Sequence, residues 1–143
     1  MRLFISTEAQ VPAVAMIHDI LKRINNTIGH IEVTDYTDSL DSIGIIINCF
    51  SNEWIDNGFG RERKYISLFR RNADIRLLIP FETFLNSNDV YRYYMVLRII
   101  IKSINVIQEK MDKKKVYFNG KDLISYILAK LDVSLDDLIA YDL

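Results

Sequence analysis

HIEVTDYTDSLDSIGIIINCFSNEWIDNGFGRERKYISLFRRNADIRLLIP, residues 30–80, is the stretch on which the fold turns. Its short β-branched and aromatic runs are separated by clusters of Asp, Asn, Ser and Gly, the mark of strands joined by turns. Residues 30–36, 42–50, 63–69 and 73–79 read as strands. In the last of these, Ile75, Leu77 and Ile79 fall on one face and Asp74, Arg76 and Leu78 on the other, because side chains alternate across a strand. Arg71 and Asn72 supply the turn before it. Alternation with short spacers predicts an antiparallel meander.

On either side of this stretch the period becomes helical. Upstream, Leu3 and Ile5 alternate with Arg2, Phe4 and Ser6, which makes residues 2–6 a short first strand. Ser6 or Thr7 is expected to cap the helix that follows, and Pro12 is tolerated in a first turn whose N–H has no intrahelical partner. Val14, Ile17, Leu21, Ile24 and Ile28 recur at spacings of three and four and stop at Gly29, an amphipathic helix with its terminator. Downstream, Tyr93, Leu97, Ile100, Ile104, Ile107 and Met111 form one stripe along residues 88–115, predicting the longest helix. Asn119 or Gly120 opens a further helix carrying Leu123, Ile127, Leu128 and Leu131, and Ser134 caps a short last one. Helices at both ends of a strand run predict an α+β fold. Its antiparallel sheet, of about five strands, would be covered on one face by the N-terminal helix and the C-terminal helices. With no repeat, low-complexity tract or linker, residues 1–143 read as a single domain.

Composition narrows the class. Half the 143 residues are apolar and 26% are charged, ordinary for a globular chain. No apolar run approaches the ~18 residues of a membrane span. Glu8 interrupts the start before the apolar block of a secretory signal can form. Cys49 is the single cysteine, set in an apolar stretch where a buried thiol is the expectation. These features point to the cytoplasm. The net charge is −1, yet residues 1–60 hold 8 acids and 3 bases, 61–115 hold 6 and 13, and 116–143 hold 5 and 2. Segregation of this kind steers a charged partner even when the total is near zero.

Catalytic chemistry finds little to work with. His18 lies on the first helix and His30 at a helix-to-strand junction, neither inside a motif. Cys49 has no neighbour that marks it as a nucleophile, and no pair of His or Cys has metal-ligand spacing, so neither metal nor cofactor is expected. Gly58-Phe59-Gly60 lacks the third glycine and the strand-to-helix setting of a phosphate cradle, and reads as a turn. Two constellations remain. Asp35, Tyr36, Asp38, Asp41, Glu53, Trp54 and Asp56 combine carboxylates with two aromatics, and no Lys or Arg lies between Glu32 and Asp56. For any one carboxylate the plain reading is a solvated loop. As a group they suit a basic protein partner, with Tyr36 and Trp54 as anchors. A carboxylate hydrolase is a weaker reading, because the spacing of Asp35, Asp38 and Asp41 is not diagnostic. The second constellation is basic: Arg61, Arg63, Lys64, Arg70 and Arg71 with Tyr65 and Phe69 on one strand, and Lys113 to Lys115 further on. It gives the alternative function, a small nucleic-acid-binding module. Against it stand the acidic pI and Glu62 and Asp74, which can pair with the arginines.

RERKYISLFRRNADIRLLIPFETF, residues 61–84, resembles a signature of bacterial immunity proteins of polymorphic, contact-dependent toxin systems, the family numbered forty-four. The opening RLFISTE, the buried-strand segment LDSIGIIINCF at 40–50 and the long isoleucine-rich helix agree with it, in order, over roughly residues 2–110. The resemblance implies a non-enzymatic, cytoplasmic antitoxin. Such a protein binds the C-terminal toxin domain of a cognate effector and blocks its active site or substrate approach. Toxins of this kind are commonly nucleases with basic clefts, which makes the acidic constellation the natural contact face.

Overall fold

The computed structural model describes residues 2–29, 31–33, 42–50 and 73–139. Four strands and five helices lie among them: β1 (Arg2–Ala9), α1 (Ala13–Ile28), β2 (Ile31–Val33), β3 (Ser42–Phe50), β4 (Ala73–Pro80), α2 (Phe81–Leu85), α3 (Asp89–Lys113), α4 (Gly120–Leu131) and α5 (Leu135–Ile139). More of the described residues are helical than extended.

The sheet corrects the antiparallel expectation. Its order is β2-β1-β3-β4, and all three pairings are parallel. β1 runs alongside β3 from Arg2↔Ser42 to Ala9↔Cys49, and β3 alongside β4 up to Phe50↔Pro80. Side-chain alternation has the same period in either kind of sheet, so it carries no information on direction. Direction is set by the connections: α1 is the crossover that returns the chain to start β2 parallel to β1, something no tight turn can do. The near-continuous apolar run Ile43-Gly44-Ile45-Ile46-Ile47 in β3 is the sequence mark of a parallel strand, and β3 is central. The expected strand at 63–69 lies outside the described residues.

A second correction concerns the start of α1. Its N-cap is Pro12, without a side-chain cap, and neither Ser6 nor Thr7 serves. β1 continues to Ala9 because it pairs with β3 that far, and Thr7 is buried within it, donating its hydroxyl to Ile47 O at 2.8 Å.

The register puts Thr7 level with Ile47, and Ala9 level with Cys49 and Ile79, all on one face. Ile5, Ile47, Cys49 and Ile79 are fully buried there. The helices supply the rest of the core. Ile17, Leu21, Ile24 and Ile28 of α1 are buried as their spacing predicts, whereas Val14 is half-buried. α3 buries more than the expected stripe, adding Met95, Val96, Ile99, Ile101 and Ser103, because β4, α1, α4 and α5 all pack against it. Each such aliphatic side chain contributes about 1.5–3 kcal/mol by leaving water. Caps fix where the later helices begin. Asn88 accepts from Tyr91 N (2.8 Å), Asn119 from Asp122 N (3.1 Å) and Ser134 from Asp137 N (3.1 Å). The Tyr126 hydroxyl donates to Ile28 O at 3.2 Å, tying α4 to the end of α1.

Candidate partner-binding groove

On α1, Met16, Asp19, Ile20 and Arg23 recur at spacings of three, one and three, which brings them to one edge of the helix. The first two turns of α3 face that edge with Asp89, Val90, Arg92, Tyr93 and Tyr94. Two adjoining depressions lie between the helices. One, of about 230 Å³, is lined by Met16, Asp19, Ile20, Arg23, Asp89 and Arg92. The other, of about 250 Å³, is lined by Arg23, Asp89, Val90, Tyr93 and Tyr94. Arg23 and Asp89 border both, so the two read as one groove.

The two arginines play different parts. Arg92 is a structural cation: its Nε donates to Phe84 O (2.9 Å), which also accepts from Ser87 N (3.3 Å), and its Nη2 donates to Leu85 O (2.7 Å), adding charged donors to carbonyls at the end of α2. Nη1 reaches Asp89 Oδ1 at 3.2 Å, and the guanidinium stands 5.8 Å from the centre of the Phe84 ring. Asp89 also sits in the first turn of α3, where the helix dipole favours a carboxylate. Arg23 is instead exposed, its guanidinium carbon 5.1 Å from the centre of the Tyr93 ring. Among the described residues no acceptor takes its N–H groups. Tyr93 meets Tyr94 edge to face, with centroids 5.7 Å apart. Burial pushes the Tyr93 phenol up from its ordinary pKa; the Arg23 cation lowers it and Tyr94 raises it, the net direction being upward. Tyr93 therefore keeps its O–H, a donor, at neutral pH.

The chemistry on offer is recognition. Arginine and tyrosine around a partly apolar floor, with Val90 59% exposed at the rim, are the residue types that anchor protein interfaces. The Cys49 thiol is pushed up to about 12 by burial and then by the charge of Glu82, so it stays protonated at neutral pH and is no nucleophile. Among the described residues no group of three or more His, Cys, Asp and Glu is placed to hold a metal ion. No described helix is long and apolar enough to cross a membrane.

The acidic constellation of Asp35, Tyr36, Asp38, Asp41, Glu53, Trp54 and Asp56 lies outside the described residues. So do the basic strand residues Arg61, Arg63, Lys64, Tyr65, Phe69, Arg70 and Arg71, together with His30 and Gly58-Phe59-Gly60. Lys113, Lys114 and Lys115 are exposed at the end of α3, and His18 is half-buried on α1. Sequence reasoning passed over Arg23, Asp89, Arg92 and Tyr94 and assigned Tyr93 to the core stripe. The available signal was Tyr91-Arg92-Tyr93-Tyr94 directly after the Asn88 cap: four amphipathic side chains in succession on a helix cannot all face inward.

Among known protein families, the one described as Immunity protein 44 matches residues 1–131, from β1 to the end of α4. No curated protein and no solved structure matches.

Proposed function

The chain belongs to the Immunity protein 44 family, and from that premise we propose that it is an antitoxin acting in the cytoplasm on the C-terminal toxin domain of a cognate effector. It works by stoichiometric binding, without turnover, and covers the active site or substrate cleft of a toxin that is a nuclease. Asp35, Asp38, Asp41, Glu53 and Asp56 complement the basic cleft such an enzyme needs for its polyanionic substrate, with Tyr36 and Trp54 as aromatic anchors. The family match carries this reading. The segregation of charge supports it, since residues 1–60 hold 8 acids against 3 bases.

The test is a titration of the purified protein against its cognate toxin domain, with nucleic-acid cleavage as the readout. Cleavage should fall to zero at one equivalent. Trp54→Ala should weaken binding by roughly 2 kcal/mol, as loss of a central anchor does. Joint neutralisation of Asp35, Asp38 and Asp41 should chiefly slow association, most at low salt. Unaltered affinity in both variants would remove the acidic surface from the proposal, absence of cleavage by the toxin domain alone would remove the nuclease target, and full cleavage at excess protein would remove the inhibition itself.

A further inference from the structure

We propose that the α1–α3 groove is a second contact with the toxin domain, in which Arg23 receives an acidic side chain of the partner. This rests on the toxin-binding reading and deepens it, because it adds a cationic contact to the acidic one.

The groove's charges differ in what already satisfies them. Arg92 spends its guanidinium on two carbonyls of α2 and on Asp89, so the Arg92–Asp89 pair is close to neutral as seen from the groove. Asp19 lines only the depression toward Met16 and Ile20. In the depression of about 250 Å³, the charge left without a counter-ion among the described residues is Arg23. Stacking on Tyr93 restricts the guanidinium and turns its planar fork of donors into a preorganised receptor, for which a carboxylate is the matching shape. Tyr93 lines the same depression, and the exposed Val90 and Tyr94 beside it offer apolar surface to the methylene groups of a glutamate. A lysine at position 23 would keep the charge and lose the fork. Arg23 is also dispensable to the fold. It is exposed and makes no described contact apart from the Tyr93 ring and an acceptance by its backbone carbonyl from the Thr27 hydroxyl, which does not depend on the side chain.

Calorimetric titration of the protein with its cognate toxin domain tests this. Arg23→Gln should raise Kd at least about tenfold, the equivalent of 1.4 kcal/mol, and Arg23→Lys should recover only part of that loss. Lys22→Gln removes a charge from the same helix outside the groove, and should stay within about twofold of the parent. Arg23→Glu should bind still more weakly, and one Glu→Lys replacement among the toxin's surface acids should restore binding. Thermal midpoints within a degree or two of the parent exclude misfolding as the cause. Tight binding by the parent with an unchanged Kd for Arg23→Gln overturns the groove contact and leaves the antitoxin reading standing. Equal losses for Lys22→Gln and Arg23→Gln also overturn it, since generic charge would then suffice. Absence of binding by the parent overturns both.

Discussion

Replacing Gly120 by Ala adds one methyl group at the first residue of α4, where the surroundings leave it no room. The new Cβ would stand 2.9 Å from Gln108 Oε1 and 3.2 Å from both Ile104 Cγ2 and Phe118 Cε1. Gln108 Oε1 is also the acceptor of the Gly120 N–H, at 2.6 Å, while Gln108 Nε2 donates to Asp112 Oδ1 at 2.9 Å. The amide can retreat only by giving up the Gly120 bond, and a part-buried N–H left without an acceptor costs about 1–3 kcal/mol. Against this, Ala is favoured over Gly in a helix interior by about 1 kcal/mol, and by less at the first position. The net expectation is a loss of about 1–2 kcal/mol, or a thermal midpoint lower by about 3–6 °C for a domain of this size. Circular dichroism melts of four proteins test the cause: parent, Gly120→Ala, Gln108→Ala and the double variant. If Gln108 is the obstacle, Gly120→Ala should cost about 1 kcal/mol less once Gln108 has been shortened. A midpoint that stays level or rises, or equal costs in both backgrounds, would refute the reasoning.

Three further outcomes follow from the same geometry. Arg92→Met should destabilise by about 2 kcal/mol in urea titration, since it strips two carbonyls at the end of α2 of charged donors; the ion pair to the exposed Asp89 adds little. Lys115→Gly should stabilise by about 0.5–1 kcal/mol, because Lys115 takes a left-handed φ of 56° where Val116 N closes on Met111 O at 2.9 Å, a turn that glycine makes without strain. The Cys49 thiol, at about 12 in the folded chain against 9.0 unfolded, binds its proton more tightly when folded. Its contribution is therefore complete below pH 9 and declines as pH rises from 9 toward 12. The parent's urea midpoint should fall more than that of Cys49→Ala between pH 7.5 and pH 10.5, and equal falls would count against the buried thiol.

The elements were largely legible in the sequence because each had a local cause. Helix α1 declared itself through Ile17, Leu21, Ile24 and Ile28, α3 through a stripe beginning after Asn88, and α4 and α5 through Asn119 and Ser134, all of which do cap. Strand direction was not legible from alternation, since side chains alternate with a period of two whichever way the neighbouring strand runs. The groove was hidden for a related reason. Arg23 lies beside the apolar stripe of α1 by sequence, and only the packing of α1 against α3 sets it over Tyr93, 70 positions away.

Parallel order also bears on how the acidic constellation would act. Residues Asp35 and Tyr36 follow Val33, the end of β2, and Glu53, Trp54 and Asp56 follow Phe50, the end of β3. In a parallel sheet both exits run in the same direction, although β2 stops level with Ile45, five residues short of Phe50. An antiparallel arrangement of β2 and β3 would have sent them to opposite edges. Asp41 precedes Ser42, where β3 enters from the opposite edge. If the strand exits carry the contact face, neutralising Asp41 alone should affect toxin binding less than neutralising Asp35, Glu53 or Asp56, and equal effects on Kd would argue against it.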